Sequence, residues 1–150
     1  MYATQAAEVE VDEESGRVRV LRMSAAHDVG KAINPLNCAA QIEGGVVMGI
    51  GSALHEELVI DNTGKVRNPS FLDYHLVTSL DAPELIPIVV ECPEAEGPYG
   101  AKGLGEPGLA PTPAAIGNAV TDALGVRVYD LPLKPENVFW ALQKKKKNAA

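Results

Sequence analysis

A glycine-rich segment at residues 97–108 constrains this chain more than any other stretch. Its sequence, Gly-Pro-Tyr-Gly-Ala-Lys-Gly-Leu-Gly-Glu-Pro-Gly, sets one lysine and one glutamate among glycines and prolines. Such a composition does not suit a helix or an inner strand, so we predict a loop. Its bare backbone can approach another group closely while Glu106 is held in one place. The alternative is a plain glycine-rich connector between a strand and a helix.

A second glycine-rich segment, residues 41–51, falls inside a predicted helix. This helix is expected from Leu36 to about Glu57, with Asn34 as its cap and Pro35 in its first turn. The helical spacing rests on Ile42, Val46, Gly49 and Ala53.

The glycines of this helix need a reason, because each one costs roughly 1 kcal/mol against alanine in a helix interior. Either a tight packing contact or a bound group requires bare backbone there. For Gly49 and Gly51 the two explanations are equally good. Gln41 lies one turn inside the helix beside Gly44 and Gly45, where its amide can reach whatever those glycines admit.

The remaining patterns predict an α+β fold, in which mixed sheet hairpins pack with helices. Alternating apolar residues indicate a hairpin over residues 5–24 and another over 58–67. An apolar run at 86–92 predicts a strand near a sheet edge, because Pro87 cannot donate to a ladder. Three further elements are expected: a helix over 112–125 with a Thr112-Pro113 start and a glycine end, a short strand at 126–128 and a short helix over 135–142.

Composition excludes several classes of function. A chain of 150 residues is long enough for one domain with a real core. Its net charge of −7 argues against a nucleic-acid partner, since phosphate binding needs an excess of basic residues. No apolar run approaches the roughly 20 residues of a membrane span, and the start lacks signal-peptide order, so we expect a cytoplasmic protein with no membrane partner. Residues 144–150, which begin with four lysines, are predicted to form a disordered basic tail.

Glu106 is the carboxylate of interest among the titratable groups. The three histidines are scattered, and Cys38 and Cys92 are isolated, so no metal site is expected from them. Lys102 precedes glycine instead of serine or threonine, which excludes a Walker A loop. Glu106 is expected to be partly desolvated by neighbouring apolar residues, as suits a general base, and nearby amides at 103–105 can donate to an oxyanion or a cofactor.

Several motifs in one order carry a family resemblance. They are Asp28-Val29-Gly30, Asn34-Pro35, Gln41-Ile42-Glu43-Gly44-Gly45 and Gly100-Ala101-Lys102-Gly103-Leu104-Gly105-Glu106-Pro107. From about residue 5 to residue 142 the chain resembles the carboxy-terminal part of the molybdopterin-binding subunit of the xanthine dehydrogenase and aldehyde oxidase family. The resemblance implies that residues 1–143 are the second half of a molybdopterin-binding domain.

The resemblance also implies roles for particular residues. Glu106 would be the catalytic base of a molybdenum hydroxylase, which oxidises an electron-poor carbon of an N-heterocycle or an aldehyde with oxygen from water. Gln41 would hydrogen-bond the pterin. The backbone of Gly44, Gly45, Lys102, Gly103, Leu104 and Gly105 would lie against the cofactor. The metal would be held by the pterin, with no protein ligand.

Partners are implied because members of this family are several times longer than this chain. Another chain would carry the first half of the molybdopterin site and the iron–sulfur clusters, with FAD as a further option. Whether the pterin takes the cytosine dinucleotide form is left open, as is whether the chain is a naturally split subunit or a fragment. The runner-up function is a non-catalytic cofactor-binding or assembly module, and a third reading is a stand-alone domain whose glycines serve packing only.

Overall fold

The computed structural model describes residues 1–148, and the chain starts with the predicted antiparallel hairpin. Strand β1 is Ala3–Val11 and strand β2 is Val18–Asp28. Their register pairs Ala7 with Met23 and shifts at a bulge between Glu8 and Val9. The side chains alternate between the core and solvent along β1, and along β2 on either side of the bulge, which is the pattern that predicted the two strands.

A third strand, β3 (Glu84–Val90), pairs parallel to β2, and the sheet order is β1-β2-β3. The strand therefore lies at an edge of the sheet. Pro87 is tolerated there because an edge strand leaves one row of donors unpaired, as the sequence predicted.

Helix α1 (Pro35–Leu54) connects β2 to β3. The side chain of Asn34 accepts a hydrogen bond from the N–H of Asn37 at 3.1 Å, and Pro35 takes the first position, so the predicted start is confirmed. The helix ends three residues before the predicted Glu57.

Helix α2 (Thr112–Leu124) ends at Gly125, whose φ of 61° is the left-handed conformation that glycine adopts readily. Its predicted cap is wrong. Thr112 is already inside the helix, Pro111 precedes it, and no side chain caps the first turn. The Thr112 hydroxyl instead bonds to a distant strand, as described below.

Helix α3 (Pro135–Asn148) is longer than the predicted 135–142. The predicted disordered tail is therefore wrong for residues 144–148, which are helical; residues 149 and 150 lie outside the described residues. Lys145 donates to the Leu124 carbonyl at 2.7 Å, which ties the basic end of α3 to α2.

Two predicted strand regions differ from the structure. The stretch 126–128 forms no strand. The hairpin at 58–67 is reduced to one bridge between Ile60 and Val66, around a turn at Gly64. Local turn residues are sufficient to form the turn, whereas a strand also needs a partner strand, and no neighbouring strand accompanies these residues in the described part of the chain.

The helices α1 and α2 pack on one face of the sheet and enclose a single core. The class predicted from sequence, α+β with a mixed sheet, is confirmed. The buried core residues are Val20, Met23, Ala25, Ile42, Val46, Ile50, Ala53, Leu54, Ile116, Val120, Leu124, Leu133, Val138 and Leu142.

Truncating this core at Ile50, which is 1% exposed, tests the packing. We expect Ile50→Ala to lower the free energy of unfolding by about 2–5 kcal/mol, because it leaves a cavity between α1 and the sheet. Urea unfolding followed by circular dichroism measures the change. Met48→Ala, on the exposed side of the same helix, is the control and should stay within about 0.5 kcal/mol of the unchanged protein.

Candidate functional site

The two glycine-rich segments meet in the folded chain. The side-chain amide of Gln41 donates to the Gly105 carbonyl at 2.6 Å. A Cβ on Gly45 would lie 2.8 Å from the Cα of Gly108, so the backbones of α1 and the loop touch directly. Residues that the sequence singled out 64 positions apart are thereby brought together.

The loop is anchored at its beginning to the end of β2. The N–H of Lys102 donates to the Val29 carbonyl at 2.9 Å, and the N–H of Lys31 donates to the Gly100 carbonyl at 2.7 Å. Gly30 adopts a φ of 67°, and a Cβ there would lie 2.7 Å from the nitrogen of Lys102. Glycine is therefore required at position 30 by both conformation and space.

A buried ion pair strengthens this anchor. The Lys102 ammonium lies 2.5 Å from Oδ2 of Asp28, and their side chains are only 13% and 8% exposed. The hydrogen bond from Lys102, with a second one from the N–H of Gly30, holds the pKa of the Asp28 carboxyl below its usual range. The same hydrogen bond raises the pKa of Lys102. The Val29 carbonyl uses the N–H of Lys102, and Asp28 uses one of the three hydrogens of its ammonium.

A second anchor holds the end of the loop to β1. The Gln5 amide donates to the Gly108 carbonyl at 2.8 Å, and the Thr112 hydroxyl donates to Gln5 Oε1 at 2.6 Å. The same amide nitrogen lies 3.3 Å from Nε2 of His27, whose ring is fully buried. Burial lowers the pKa of His27, which favours the neutral ring. In the tautomer that carries its proton on Nδ1, Nε2 accepts from the Gln5 amide.

Sequence reasoning missed Gln5 and Thr112. The available signal was a polar residue at an inward position of β1, where Gln5 shares the parity of Ala7 and Val9. Because Pro113 follows it, Thr112 was interpreted as the residue that starts a helix, and its bond to a strand was not expected.

The glycines of the site fall into two groups. Gly45 and Gly49 serve packing, since a Cβ on Gly49 would lie 2.7 Å from the Thr112 hydroxyl. At Gly44, Gly103 and Gly105 a Cβ would meet no atom within 4 Å, and no φ requires glycine there. Neither a contact nor a backbone conformation within residues 1–148 explains why these three positions are glycine.

The loop also presents free donors. Among the hydrogen bonds of residues 1–148, none uses the N–H groups of Gly103, Leu104 or Gly105. Unpaired backbone N–H groups beside open glycines form a surface that an acceptor-rich group can approach closely.

Glu106 lies between the two anchors, and its carbonyl accepts from the N–H of Leu109 at 3.1 Å. Its side chain is exposed, so the expected partial desolvation by Leu104, Pro107 and Leu109 is wrong for this chain by itself. These three apolar neighbours are half-buried themselves and leave Glu106 exposed.

Two further properties concern the described residues as a whole. None of their helices combines the length and apolar character needed to cross a bilayer. Within residues 1–148, no three His, Cys, Asp or Glu side chains are grouped to hold a metal ion.

Known proteins resemble this chain in sequence and in fold. A family model described as a molybdopterin cofactor-binding domain matches residues 1–83. The putative xanthine dehydrogenase molybdenum-binding subunit of Escherichia coli is 46% identical over 124 residues, which are 82% of this chain and 16% of that protein. The nicotine 6-hydroxylase large subunit of Paenarthrobacter nicotinovorans is 44% identical over 136 residues, covering 89% of this chain and 17% of that protein.

A solved structure shares the fold. Quinoline 2-oxidoreductase from Pseudomonas putida superposes with a TM-score of 0.87 at 35% identity, over 93% of this chain and 18% of that chain. This chain thus spans less than a fifth of the length of these relatives. The chain belongs to the molybdopterin cofactor-binding domain family of the xanthine dehydrogenase and aldehyde oxidoreductase type.

Proposed function

We propose that this chain is a component of a molybdenum hydroxylase that uses water to oxidise an electron-poor carbon of an N-heterocycle or an aldehyde. One observation carries the proposal: Glu106 stands on a loop fixed at both ends, beside three glycines and three donors that the chain itself does not use. The relatives support the class, since they include a xanthine dehydrogenase subunit and a nicotine 6-hydroxylase subunit.

The residues present fit a molybdenum–pterin. The N–H groups of Gly103, Leu104 and Gly105 would donate to it, and the bare faces of Gly44 and Gly105 would admit it. Gln41 already donates to the Gly105 carbonyl, which leaves Oε1 and the second amide hydrogen for the pterin. When bound, the group would supply two-electron oxidation chemistry.

Glu106 would act as the general base. One of its carboxylate oxygens would accept a proton from the water-derived nucleophile, a role that contributes about 10²–10⁴-fold to a rate. Partial shielding from water raises the pKa of a carboxylate toward the working pH, where a general base is most effective. Because Glu106 is exposed in this chain, a covering surface from a partner would supply that desolvation.

An apolar arm, residues 58–80, supports the proposed partner. Phe71, Leu72 and Leu80 are 83%, 86% and 95% exposed. The arm is nevertheless held in place, since the Tyr74 hydroxyl donates to Glu56 at 2.8 Å and the Asn68 amide donates to the Glu57 carbonyl at 2.6 Å. An ordered segment with apolar side chains facing outward is typical of an interface. A chain carrying the first half of the molybdopterin site, with iron–sulfur clusters and FAD in the same complex, is the proposed occupant. A cytoplasmic location is part of the proposal.

Co-expression tests the function. The Escherichia coli relative would be produced without the 124 residues that align, together with this chain, in a host that makes the pterin cofactor. We expect about one molybdenum per complex and incorporation of ¹⁸O from labelled water into xanthine, benzaldehyde or quinoline products. A complex that holds molybdenum but labels no product would favour the alternative, a non-catalytic cofactor-binding or assembly module. Stoichiometric cofactor and turnover by the chain alone would contradict the need for a partner.

A further inference from the structure

Within residues 1–148, the largely buried pair of Asp28 and Lys102 is the only ion pair made by the loop at 97–108. It joins the end of β2 to the loop four residues before Glu106, and the two residues are 74 positions apart in sequence. The distance of 2.5 Å from Lys102 Nζ to Asp28 Oδ2 and the low exposure of both side chains distinguish this pair from the other ion pair at this end of the sheet. That pair, Lys31 with Glu91, is 2.8 Å long, and its side chains are 52% and 42% exposed.

Burial of two charges is a weak way to add stability. Removing an ammonium and a carboxylate from water costs about as much as their attraction returns, so apolar residues of similar volume often serve stability as well. An ion pair does restrict the relative positions of its two charged groups, because it has one favourable geometry. Here that geometry is set by Asp28, whose other oxygen accepts from the N–H of Gly30 at 3.0 Å.

Few hydrogen bonds hold residues 102–105 before Glu106. Gly103, Leu104 and Gly105 contribute no N–H bonds to residues 1–148, and Gly105 is hydrogen-bonded only through its carbonyl by Gln41. Without the ion pair, residues 102–105 would be held by the backbone bond from Lys102 to Val29, by the exposed side chain of Gln41 and by the packing of Leu104 against the core. A displacement of about 1 Å at a reacting group can cost 10²-fold in rate.

We propose that the side chains of Asp28 and Lys102 are positioning groups, which set the place of the Glu106 carboxylate through the loop and do not themselves react. The inference rests on the proposed function, because it presumes that Glu106 reacts.

Lys102→Met in the co-expressed complex tests the proposal, with Lys31→Met as the matched control. We expect Lys102→Met to lower kcat about 10–100-fold while KM and molybdenum content stay within about threefold of the unchanged complex. In the 150-residue chain alone, amide exchange of peptides spanning residues 97–109 should become at least about tenfold faster, whereas peptides of α1 should not change. Lys31→Met should change neither readout.

A double variant separates positioning from stability. Lys102→Met leaves the Asp28 carboxylate buried and unpaired, which can itself impair folding or assembly. Asp28→Asn with Lys102→Met removes that charge and restores folding. Positioning predicts that kcat stays low and loop exchange stays fast in the double variant. A return of kcat to that of the unchanged complex would overturn the proposal, as would unchanged kcat or unchanged loop exchange in Lys102→Met.

Failure of the proposed function and failure of the positioning role give different results in these measurements. A complex of unchanged sequence that binds molybdenum but oxidises no substrate would contradict the proposed function. Loop exchange would still report on the anchor in that case, and equal exchange in the unchanged chain and Lys102→Met would contradict it independently.

Discussion

Glu106→Gln in the co-expressed complex is expected to lower kcat by about 10²–10⁴-fold, the usual contribution of a general base. Glutamine keeps the size of the side chain and cannot accept a proton at neutral pH. Since the exposed Glu106 side chain makes no hydrogen bond or ion pair within residues 1–148, the change should leave molybdenum content and assembly intact. Steady-state kinetics and metal analysis on the same preparation measure both effects.

Glu96→Gln is the matched control. Glu96 is also an exposed glutamate near the start of the same loop, ten positions from Glu106, and its replacement should leave kcat within about twofold. Turnover that survives in Glu106→Gln with molybdenum bound would exclude Glu106 as the base. Loss of molybdenum in that variant would instead assign Glu106 to cofactor retention.

Alanine at the neighbouring positions Gly44 and Gly45 is expected to change the free energy of unfolding in opposite directions. Both replacements gain the same helix propensity, roughly 1 kcal/mol. At Gly45 the new Cβ would lie 2.8 Å from the Cα of Gly108 and 3.1 Å from the nitrogen of Leu109. Both are backbone atoms that cannot rotate away, so overpacking should outweigh the gain and destabilise the chain by about 1–3 kcal/mol.

At Gly44 nothing in residues 1–148 opposes the new methyl group, so Gly44→Ala should stabilise the isolated chain by about 0.5–1 kcal/mol. In the complex the same methyl group would stand where the pterin is proposed to approach, and molybdenum content should fall. Thermal unfolding of the chain and metal analysis of the complex measure the two effects. Full molybdenum content in Gly44→Ala would remove Gly44 from the proposed cofactor surface.

The sequence predicted those parts of the fold that depend on local chemistry. Asn34 before Pro35 defines the start of α1, and Gly125 defines the end of α2, because a cap and a left-handed residue act within one turn. Alternation predicted β1 and β2 since one face of each strand is buried. Thr112 was misinterpreted because its true partner, Gln5, lies 107 positions away.

The candidate site was predicted by residue type but not by contact. Glycine density indicated both segments, and the structure brings Gln41 to Gly105. The ion pair of Asp28 with Lys102 could not be inferred, because composition does not tell which of the acidic residues a given lysine meets. The exposure of Glu106 could not be predicted either, because residues that are adjacent in sequence do not necessarily cover a side chain.

The anchors of the loop have a consequence for the order of folding. Gln5 bonds to the Gly108 carbonyl across 103 positions, so the loop takes its final shape only after the first strand and the last third of the chain have met. Contacts of such long sequence separation form late, because the entropy of closing the intervening chain must be overcome first. Residues 1–107 contain all of β1 and α1, yet the second anchor cannot form without Gly108. Under the proposed function, a cofactor that binds only the anchored loop would stabilise the folded state further by mass action.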